Sequence, residues 1–320
     1  MRRVLVLGGT GWLGREVARE AVEQGAEVVC LARGESGPVP DGARLVKADR
    51  TNPDAYRQLE GQWDEVVEVA HEPELINPAL DALADRAAHW TLVSTISVYE
   101  RNDEPGADES AEVVEPRDLT RYPDAKVAAE RISAERLPGR LLIARPGLIV
   151  GPGDRSDRFG YWPARLRRGG RVLTPATAGR HVQVIDVSDL AAWIVTAGRA
   201  QVTGSINAVG EVHAMDDFFS AACEVTGVRG DLVAVDDETL LAHQVQYWAG
   251  PRSLPLWVPQ DYTGFARRDG SAFLRTGGRL RSLQETLTRS LGDEVARGPD
   301  RPRRSGLTPA EEETVLEALR

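Results

Sequence analysis

The sequence contains only two cysteines, Cys30 and Cys223, among its 320 residues. Two cysteines cannot build a disulfide framework, and they cannot supply a cysteine-based zinc cluster. No apolar run approaches the length of about 20 residues that a membrane-spanning helix needs. The apolar stretch behind Met1 is too short for a signal peptide. These absences predict a cytoplasmic protein with no membrane partner.

Acidic residues outnumber basic ones, 49 Asp and Glu against 39 Lys and Arg, so the formal net charge is −10 at pH 7. A general nucleic-acid binder needs a basic face to displace phosphate counterions, so no nucleic-acid partner is expected. Nearly all cations are arginines, since Lys47 and Lys126 are the only lysines. The remaining composition, 42% hydrophobic and 28% charged, is that of an ordinary globular protein.

The first half of the chain alternates short apolar runs with amphipathic stretches. The runs predict buried parallel strands at residues 4–7, 27–31, 44–46, 65–69, 91–93 and 141–144. The stretches between them predict helices that include residues 13–24, 78–87 and 124–136. Strand–helix alternation of this kind predicts an α/β fold with a Rossmann-type, doubly wound parallel sheet.

Glycine and proline become denser after about residue 150, and isolated strands alternate with helices. We therefore expect a dinucleotide-binding domain over residues 1–150 and a smaller C-terminal substrate-binding lobe over residues 151–292, with returns into the main sheet. Residues 293–320 are expected to form a linker and a C-terminal helix. Thr308, Pro309 and Glu311 have the spacing of a helix start with a capping box. The polar stretch before them, residues 298–306, is expected to be mobile.

A glycine-rich segment lies between the first predicted strand and the first predicted helix. Its residues are Gly8, Gly9, Thr10, Gly11, Trp12, Leu13 and Gly14. Glycines in this register permit a tight turn, let the backbone approach a pyrophosphate, and direct a helix N-terminus at its negative charge. Because the pattern lies inside a strand–helix–strand unit, it predicts a dinucleotide cofactor rather than a plain turn.

The choice of cofactor depends on the end of the second strand, where an NAD enzyme usually carries an acidic residue. Ala32 stands there, followed by Arg33. An arginine fork suits a 2′-phosphate, so NADP(H) is favoured and NAD(H) stays open. Asp49, after the third strand, could accept from the adenine amino group or cap its own turn.

Tyr122 and Lys126 are four residues apart in a predicted helix. Such residues share one helix face, so the ammonium should lie near the phenol and lower its pKa from about 10 toward working pH. A tyrosine of this kind suits general acid–base catalysis. A Ser/Thr-rich turn with Ser94, Thr95 and Ser97 precedes this helix. One of its hydroxyls could hydrogen-bond a substrate carbonyl, and at least two of the three are expected only to satisfy the strand end.

Together these motifs resemble the extended short-chain dehydrogenase/reductases, the nucleotide-sugar epimerase/dehydratase superfamily. The segments that carry the resemblance are residues 8–14, 93–99, 122–126, 145–154 and 184–191. Residues 8–14 and 93–99 also resemble an atypical subgroup whose members include proteins labelled epimerase, reductase and RNA-binding protein. The resemblance implies that Thr95, Tyr122 and Lys126 are catalytic, that Lys126 binds the cofactor ribose, and that the protein forms a homodimer.

The resemblance also implies further cofactor contacts. Pro146 and Gly147 match the segment beside the nicotinamide, and Ala70 ends the fourth strand at the cofactor edge. Two departures stand out. The segment from Ala70 to Pro73 replaces the asparagine that completes a proton relay in many relatives, and Pro123 directly follows Tyr122.

The substrate-binding residues are predicted to lie between the lobes. The candidates are His71, Tyr161, Trp162 and Gln183, with His181, Trp248 and Trp257 as further lining residues. Packing in a core is the alternative for the aromatic members of this set. An arginine cluster could grip a diphosphate or form a solvated face; its members are Arg155, Arg158, Arg165, Arg167 and Arg168. We therefore expect an NAD(P)-dependent oxidoreductase that acts on a small-molecule carbonyl or alcohol. The alternatives are an epimerase or dehydratase that retains NAD and, less favoured, a non-catalytic nucleotide-sensing or RNA-binding protein.

Overall fold

The computed structural model describes residues 1–227, 231–298 and 300–319. Its helices are α1 Trp12–Glu23, α2 Pro73–Leu83, α3 Tyr122–Arg136, α4 Arg158–Arg167, α5 Val187–Arg199, α6 Met215–Thr226, α7 Asp237–Ala242, α8 Ser271–Arg275, α9 Leu283–Arg297 and α10 Pro309–Ala318. Its strands are β1 Arg3–Leu7, β2 Glu27–Ala32, β3 Ala43–Lys47, β4 Glu65–Glu68, β5 Trp90–Val93, β6 Leu141–Pro146, β7 Leu148–Val150, β8 Arg171–Pro175, β9 His181–Asp186, β10 Gly204–Ala208, β11 Val212–Ala214, β12 Asp231–Val235, β13 Gln246–Trp248 and β14 Ser253–Pro255. Within these ranges no helix is both long and apolar enough to cross a membrane.

Seven strands form a central parallel sheet in the order β3-β2-β1-β4-β5-β6-β10. Its strands are apolar along their length because helices cover both faces; residues 4–7 of β1, for example, have no exposed surface. The six strands predicted from the sequence are confirmed, and each observed strand overlaps its predicted range. The seventh, β10, comes from the second half of the chain.

Helices α1 and α5 pack together on one face of the sheet, and α2 and α3 pack together on the other. Buried aliphatic side chains fill each interface, such as Val17 and Leu190 on the first face and Leu80 and Ala129 on the second. The Rossmann-type doubly wound fold is therefore confirmed. In such a fold the ligand lies at the carboxyl ends of the strands, where the strand order reverses, here between β1 and β4.

Helix α2 begins five residues before its predicted start at Pro78. Pro73 occupies the first turn, where a missing amide hydrogen costs nothing, and Pro78 lies inside the helix. An internal proline normally costs about 3 kcal/mol. Ile76, Leu80 and other apolar residues of the helix are buried against the sheet, which offsets that cost. Tertiary packing therefore outweighs the tendency of Pro78 to break the helix.

The C-terminal lobe has its own apolar core, which α4, α6 and α9 enclose. Strands β7, β9 and β11 form a three-stranded sheet there, and β8 pairs with β12. The predicted boundary after residue 292 falls inside α9, which continues to Arg297. The stretch before α10, expected to be mobile, is instead held by ion pairs from Arg301 to Asp157 and Glu294. The predicted capping box of Thr308 and Glu311 is confirmed.

Candidate active site

The glycine-rich segment forms a tight turn between β1 and α1. Gly8 has a φ of +94°, and the Gly11 amide donates to the Gly8 carbonyl at 3.0 Å. A Cβ atom at Gly14 would collide with the Gly8 carbonyl, and one at Gly9 would collide with Cys30. Only glycine fits these positions, so the backbone stays open on its outer side.

Helix α1 begins directly after this turn, and its N-cap residue Gly11 supplies no side-chain cap. The first amides of the helix therefore remain available to an external acceptor, and the helix dipole favours a negative one. These features fit the pyrophosphate of a dinucleotide. The sequence-predicted role of the segment agrees with this geometry.

Two cavities adjoin the glycine turn at the carboxyl edge of the sheet. The glycine-loop cavity is lined by Gly8, Thr10, Gly11, Ala32, Arg33, Asp49, Arg50, Ala70, His71 and Glu72, among others. The Tyr122 cavity is lined by Trp12, Leu13, Gly14, Thr95, Tyr122, Lys126, Pro146, Gly147, Arg158, Trp248 and Phe265, among others. The two cavities share Gly11 and Val69, so together they form one continuous groove. Except for Gly9, which packs on Cys30, every residue predicted to bind the cofactor lines this groove.

Arg33 lies at the rim of the glycine-loop cavity with 64% of its side chain exposed, and it pairs with Glu35 at 3.3 Å. Asp49 accepts hydrogen bonds from the amide and hydroxyl of Thr51, which lower its pKa. Of the two roles that the sequence left open for Asp49, the structure shows the one that closes its own turn.

The three predicted catalytic residues meet in the Tyr122 cavity. Lys126 is buried, and its Nζ donates to the Val93 carbonyl at 2.6 Å and lies 5.9 Å from the centre of the Tyr122 ring. Thr95 caps the 3₁₀ turn Ile96–Val98 by accepting from the Ser97 amide at 3.1 Å. The arrangement brings a phenol, a hydroxyl and an ammonium group to one wall.

The electrostatic environment of Tyr122 differs from the sequence expectation. Burial by the surrounding protein raises the pKa of Tyr122, although 47% of the residue is exposed in the cavity. The influences that lower this pKa come from the Thr95 hydroxyl and the positive charge of Arg158. The expectation that Lys126 lowers it is corrected, because the ammonium points at the Val93 carbonyl and burial reduces its own pKa to about 8.

His71 and Glu72 occupy the place of the relay asparagine. The edge of the His71 ring contacts the Tyr122 ring, with the ring centres 5.1 Å apart. His71 Nδ1 lies 3.6 Å from a carboxylate oxygen of Glu72. Burial and the charge of Lys126 lower the pKa of His71, and Glu72 acts in the opposite direction. The surroundings of the imidazole beside Tyr122 therefore favour its neutral form.

The far side of the Tyr122 cavity is formed by Arg158, Trp248 and Phe265. The Arg158 guanidinium stacks on Trp248, 5.2 Å from the ring centre, and its Nε donates to Ser156 at 3.1 Å. Trp248 in turn contacts Phe265 edge to face, with the ring centres 5.1 Å apart. This wall combines a flat apolar surface with one positive charge.

Several predicted substrate contacts need correction. Tyr161 and Trp162 are 2% and 1% exposed and belong to the core of the C-terminal lobe, not to the Tyr122 cavity. Trp257 is also a core residue, with its indole nitrogen donating to Asp237. All three are large aromatic side chains whose burial stabilises the lobe. Their residue type suits a binding site as well as a core, so the sequence alone did not distinguish the two.

Gln183 lines a small closed pocket beside the Tyr122 cavity, together with His181. Its amide is fully engaged, because Nε2 donates to the Gly210 and Arg268 carbonyls and Oε1 accepts from the Arg268 amide. Gln183 therefore fixes the surrounding backbone, and its predicted substrate contact is corrected.

Arg50, Glu72 and Phe265 are among the groove residues that sequence reasoning missed. Buried Arg50 forms a bidentate pair with Glu68, which also accepts from the Ala70 amide at 2.9 Å. The sequence offered a signal for two of these residues. Arg50 follows a predicted strand, and Glu72 stands beside the position of the missing asparagine. No sequence pattern predicted Phe265 as a site residue, because it lies in a loop far along the chain whose position depends on tertiary contacts.

Comparison with known proteins agrees with this geometry. The dTDP-6-deoxy-L-talose 4-dehydrogenase (NAD(P)(+)) of Kitasatospora kifunensis is 28% identical over 217 residues, which cover 58% of this chain and 67% of that protein. A stretch of 31 residues is 64% identical to Photosystem II assembly factor Ycf39 of Synechocystis sp. and covers only 10% of each chain.

The solved structure of dTDP-glucose 4,6-dehydratase from Bacillus anthracis, in complex with NAD, has a TM-score of 0.69 to this chain. The alignment covers 93% of this chain and 98% of that one at 13% identity, which shows a shared fold. The sequence model of the NAD dependent epimerase/dehydratase family matches residues 4–210, a range that contains the glycine turn, Thr95, Tyr122 and Lys126. The chain therefore belongs to the NAD dependent epimerase/dehydratase family.

Proposed function

We propose that the protein is an NAD(P)-dependent oxidoreductase that acts on the carbonyl or alcohol group of a small molecule. The observation that carries this proposal is the meeting of Thr95, Tyr122 and Lys126 in a cavity continuous with the glycine turn. The turn can hold the cofactor phosphates, and the three side chains can handle a proton and an oxygen next to it.

The residues of this chain divide the reaction between them. The bound cofactor would supply the hydride to the carbonyl carbon. The Tyr122 hydroxyl would donate its proton to the carbonyl oxygen, while the Thr95 hydroxyl holds that oxygen in place. One hydride and one proton convert the carbonyl to an alcohol. Arg158 would stabilise the phenolate that remains on Tyr122, and the reverse sequence would oxidise an alcohol.

Arg158 favours a substrate that carries negative charge. Its guanidinium is stacked on Trp248 and lines the Tyr122 cavity. Burial lowers the pKa of Arg158, and the charge of the nearby Asp154 carboxylate raises it without a direct ion pair among the described residues. An arginine fork that is partly removed from water suits a carboxylate or phosphate. We therefore propose an anionic carbonyl compound or its alcohol as the substrate class.

The decisive variant is Tyr122→Phe, which removes only the hydroxyl. We expect kcat to fall by about 10²–10⁴-fold, the usual contribution of general acid–base catalysis, with little change in cofactor affinity. The measurement is turnover of a panel of carbonyl compounds with NADPH. Tyr262→Phe is the control, since Tyr262 is also exposed and lies outside the groove. Full activity in Tyr122→Phe would overturn the catalytic assignment.

NADP(H) is the cofactor that we propose, because Ala32 replaces the usual acidic residue and Arg33 stands at the cavity rim. Glu35, the partner of Arg33, would have to release it for the 2′-phosphate. Arg33→Ala should weaken NADPH binding by about tenfold and leave NADH binding unchanged. Titration by cofactor fluorescence measures both, with exposed Arg57→Ala as the control. Equal NADPH affinity in both variants would contradict the proposal.

An epimerase or dehydratase that retains NAD is the second candidate, because the Arg158 guanidinium in the Tyr122 cavity would also suit the diphosphate of a nucleotide sugar. The absorbance spectrum of freshly purified protein, which reports whether a nucleotide is bound, distinguishes the two candidate functions. NAD that is released only on denaturation would favour the second candidate, whereas empty protein that binds NADPH reversibly would favour the first.

A further inference from the structure

A third cavity lies in the C-terminal lobe, between α4 and the segment that leads into α10. We call it the Arg303 pocket; it is lined by Tyr161, Ala164, Arg165, Arg168, Asp300, Arg301, Pro302, Arg303, Gly306, Leu307, Thr308 and Pro309. Its volume of about 300 Å³ is at the lower end of the range for small-molecule pockets. It shares no lining residue with the groove that the glycine-loop cavity and the Tyr122 cavity form, which we call the cofactor groove.

Arginines dominate the polar lining of this pocket. Four arginines line it, and Arg297 stands behind them, paired with Asp293. Three buried carboxylates also pair with these guanidinium groups; they are Asp157, Glu294 and Glu312. Asp300 is an exposed carboxylate at the rim. Four lining guanidinium groups therefore share three buried carboxylates at the inner wall of the pocket.

Hydrogen-bond donors in the pocket lack acceptors among the described residues. Both terminal nitrogens of Arg303 are buried without a hydrogen bond, although Nη1 lies 2.7 Å from a Glu294 oxygen as an ion pair. The Tyr161 hydroxyl is also without a hydrogen bond, on a residue that is only 2% exposed. The Leu307 amide is directed at the phenol oxygen, where it can act only as a donor, so the hydroxyl proton still lacks an acceptor. Buried donors without acceptors are destabilising, so each would gain from an acceptor in the pocket.

The arginines also repel one another. Burial lowers the pKa of Arg168, and the positive charges of Arg165 and Arg303 lower it further. Glu312 pairs with both Arg165 and Arg168 and acts in the opposite direction on this pKa, so it offsets part of the repulsion. A phosphate group presents several acceptor oxygens, and its geometry matches the arginine fork.

We propose that the Arg303 pocket binds the phosphate group of a small molecule, either inorganic phosphate or a small phosphate ester. Arg168 and Arg303 would supply the charged donors, and the Tyr161 hydroxyl would supply a neutral one. The apolar wall of Ala164 and Leu307 would limit the size of whatever the phosphate carries. The site is separate from the proposed catalytic groove, so it does not depend on that assignment.

The test is calorimetric titration of the full chain with sodium phosphate, at an ionic strength held constant with sodium chloride. We expect saturable binding that weakens by about tenfold in Arg168→Gln and severalfold in Tyr161→Phe. Arg167→Gln is the matched control, because Arg167 is an exposed neighbour on the same helix that does not line the pocket. Tyr161→Phe keeps the buried ring, so it tests the site even if an arginine variant is unstable.

Two outcomes would overturn the proposal. One is the absence of binding beyond the effect of chloride. The other is equal binding in wild type, Arg168→Gln and Tyr161→Phe, which would place the phosphate elsewhere, for instance at the glycine turn. A parallel titration with glucose 6-phosphate separates the sources. Tighter binding of the ester would indicate a metabolite, and tighter binding of inorganic phosphate would indicate the free ion; either order supports the site.

Discussion

At the scale of single residues, the proton chemistry depends on which charge faces Tyr122. Burial raises the pKa of Tyr122, and the opposing charge comes from Arg158 on the far wall of the cavity. Lys126 shares the helix with Tyr122, but its ammonium is directed at a backbone carbonyl. Arg158 comes from α4 at the start of the C-terminal lobe, so both lobes contribute to the acid–base group.

Arg158→Gln tests this division of roles. Removing the positive charge should raise the pKa of Tyr122, so the pH midpoint for alcohol oxidation, which needs the phenolate, should move upward by about 0.5–1 unit. The measurement is the pH dependence of kcat for the variant and the wild type. Arg155→Gln is the control, because Arg155 is exposed on the preceding loop and does not line the cavity. An unchanged midpoint would show that Arg158 does not set the Tyr122 pKa.

At the scale of elements, α3 presents its proposed catalytic residues on one face. Tyr122, Lys126 and Glu130 follow one another at intervals of four residues, so they lie along one side of the helix. Glu130 accepts hydrogen bonds from Ser94 and from Arg145 of β6. Asp124 accepts from the amides of Arg117 and Asp118 at 2.9 and 3.0 Å. Glu130 therefore fixes α3 to the sheet, and Asp124 fixes its first turn to the preceding loop.

Helix α10 begins with a capping box and is joined to α4 of the C-terminal lobe by an ion pair. Thr308 and Glu311 cap its first turn reciprocally, and buried Glu312 pairs with Arg165 of α4. Thr308→Ala should reduce the free energy of unfolding by about 1 kcal/mol, because it leaves the first-turn amides without an acceptor. Urea denaturation measures the change. Thr314→Ala, an exposed position inside the same helix, should have a smaller effect; equal losses would contradict the capping argument.

At the scale of the whole molecule, the two ends of the central sheet have different roles. The carboxyl edge carries the cofactor groove, whereas the amino edge carries a buried carboxylate, Glu65. Glu65 pairs with Arg2, accepts from Thr91 at 3.0 Å and packs against Gly198 of α5. Burial raises its pKa from 4.5 to about 7, with Arg2 and Thr91 acting in the opposite direction.

This pKa predicts that global stability decreases toward alkaline pH. Because the folded-state pKa is above the ordinary value, the neutral carboxyl stabilises the fold fully below about pH 4.5, and this stabilisation is lost as the pH rises through about 7. The shift corresponds to about 3 kcal/mol. Glu65→Gln should therefore flatten the decrease in the free energy of unfolding between about pH 5 and 8. Exposed Glu60→Gln should retain the wild-type slope; the same slope in all three proteins would refute the prediction.

The sequence by itself determined the parts that depend on neighbours along the chain. Continuous apolar runs specify strands that are buried on both faces, so the parallel sheet was predictable. The glycine turn at Gly8 and the capping box at Thr308 are set by backbone geometry within a few residues. The pairing of Tyr122 with Lys126 follows from their spacing of four residues on one helix, whereas the choice of Thr95 came from the family resemblance.

The tertiary structure decided what depends on contacts between distant segments. It placed Tyr161 and Trp162 in a core, because burying large aromatic rings stabilises the lobe. It extended α2 through Pro78, because packing against the sheet outweighed the lost hydrogen bond. It also brought Arg158 and Trp248 to the wall opposite Tyr122. No local pattern specifies these contacts, because their energies arise only after the two lobes have packed together.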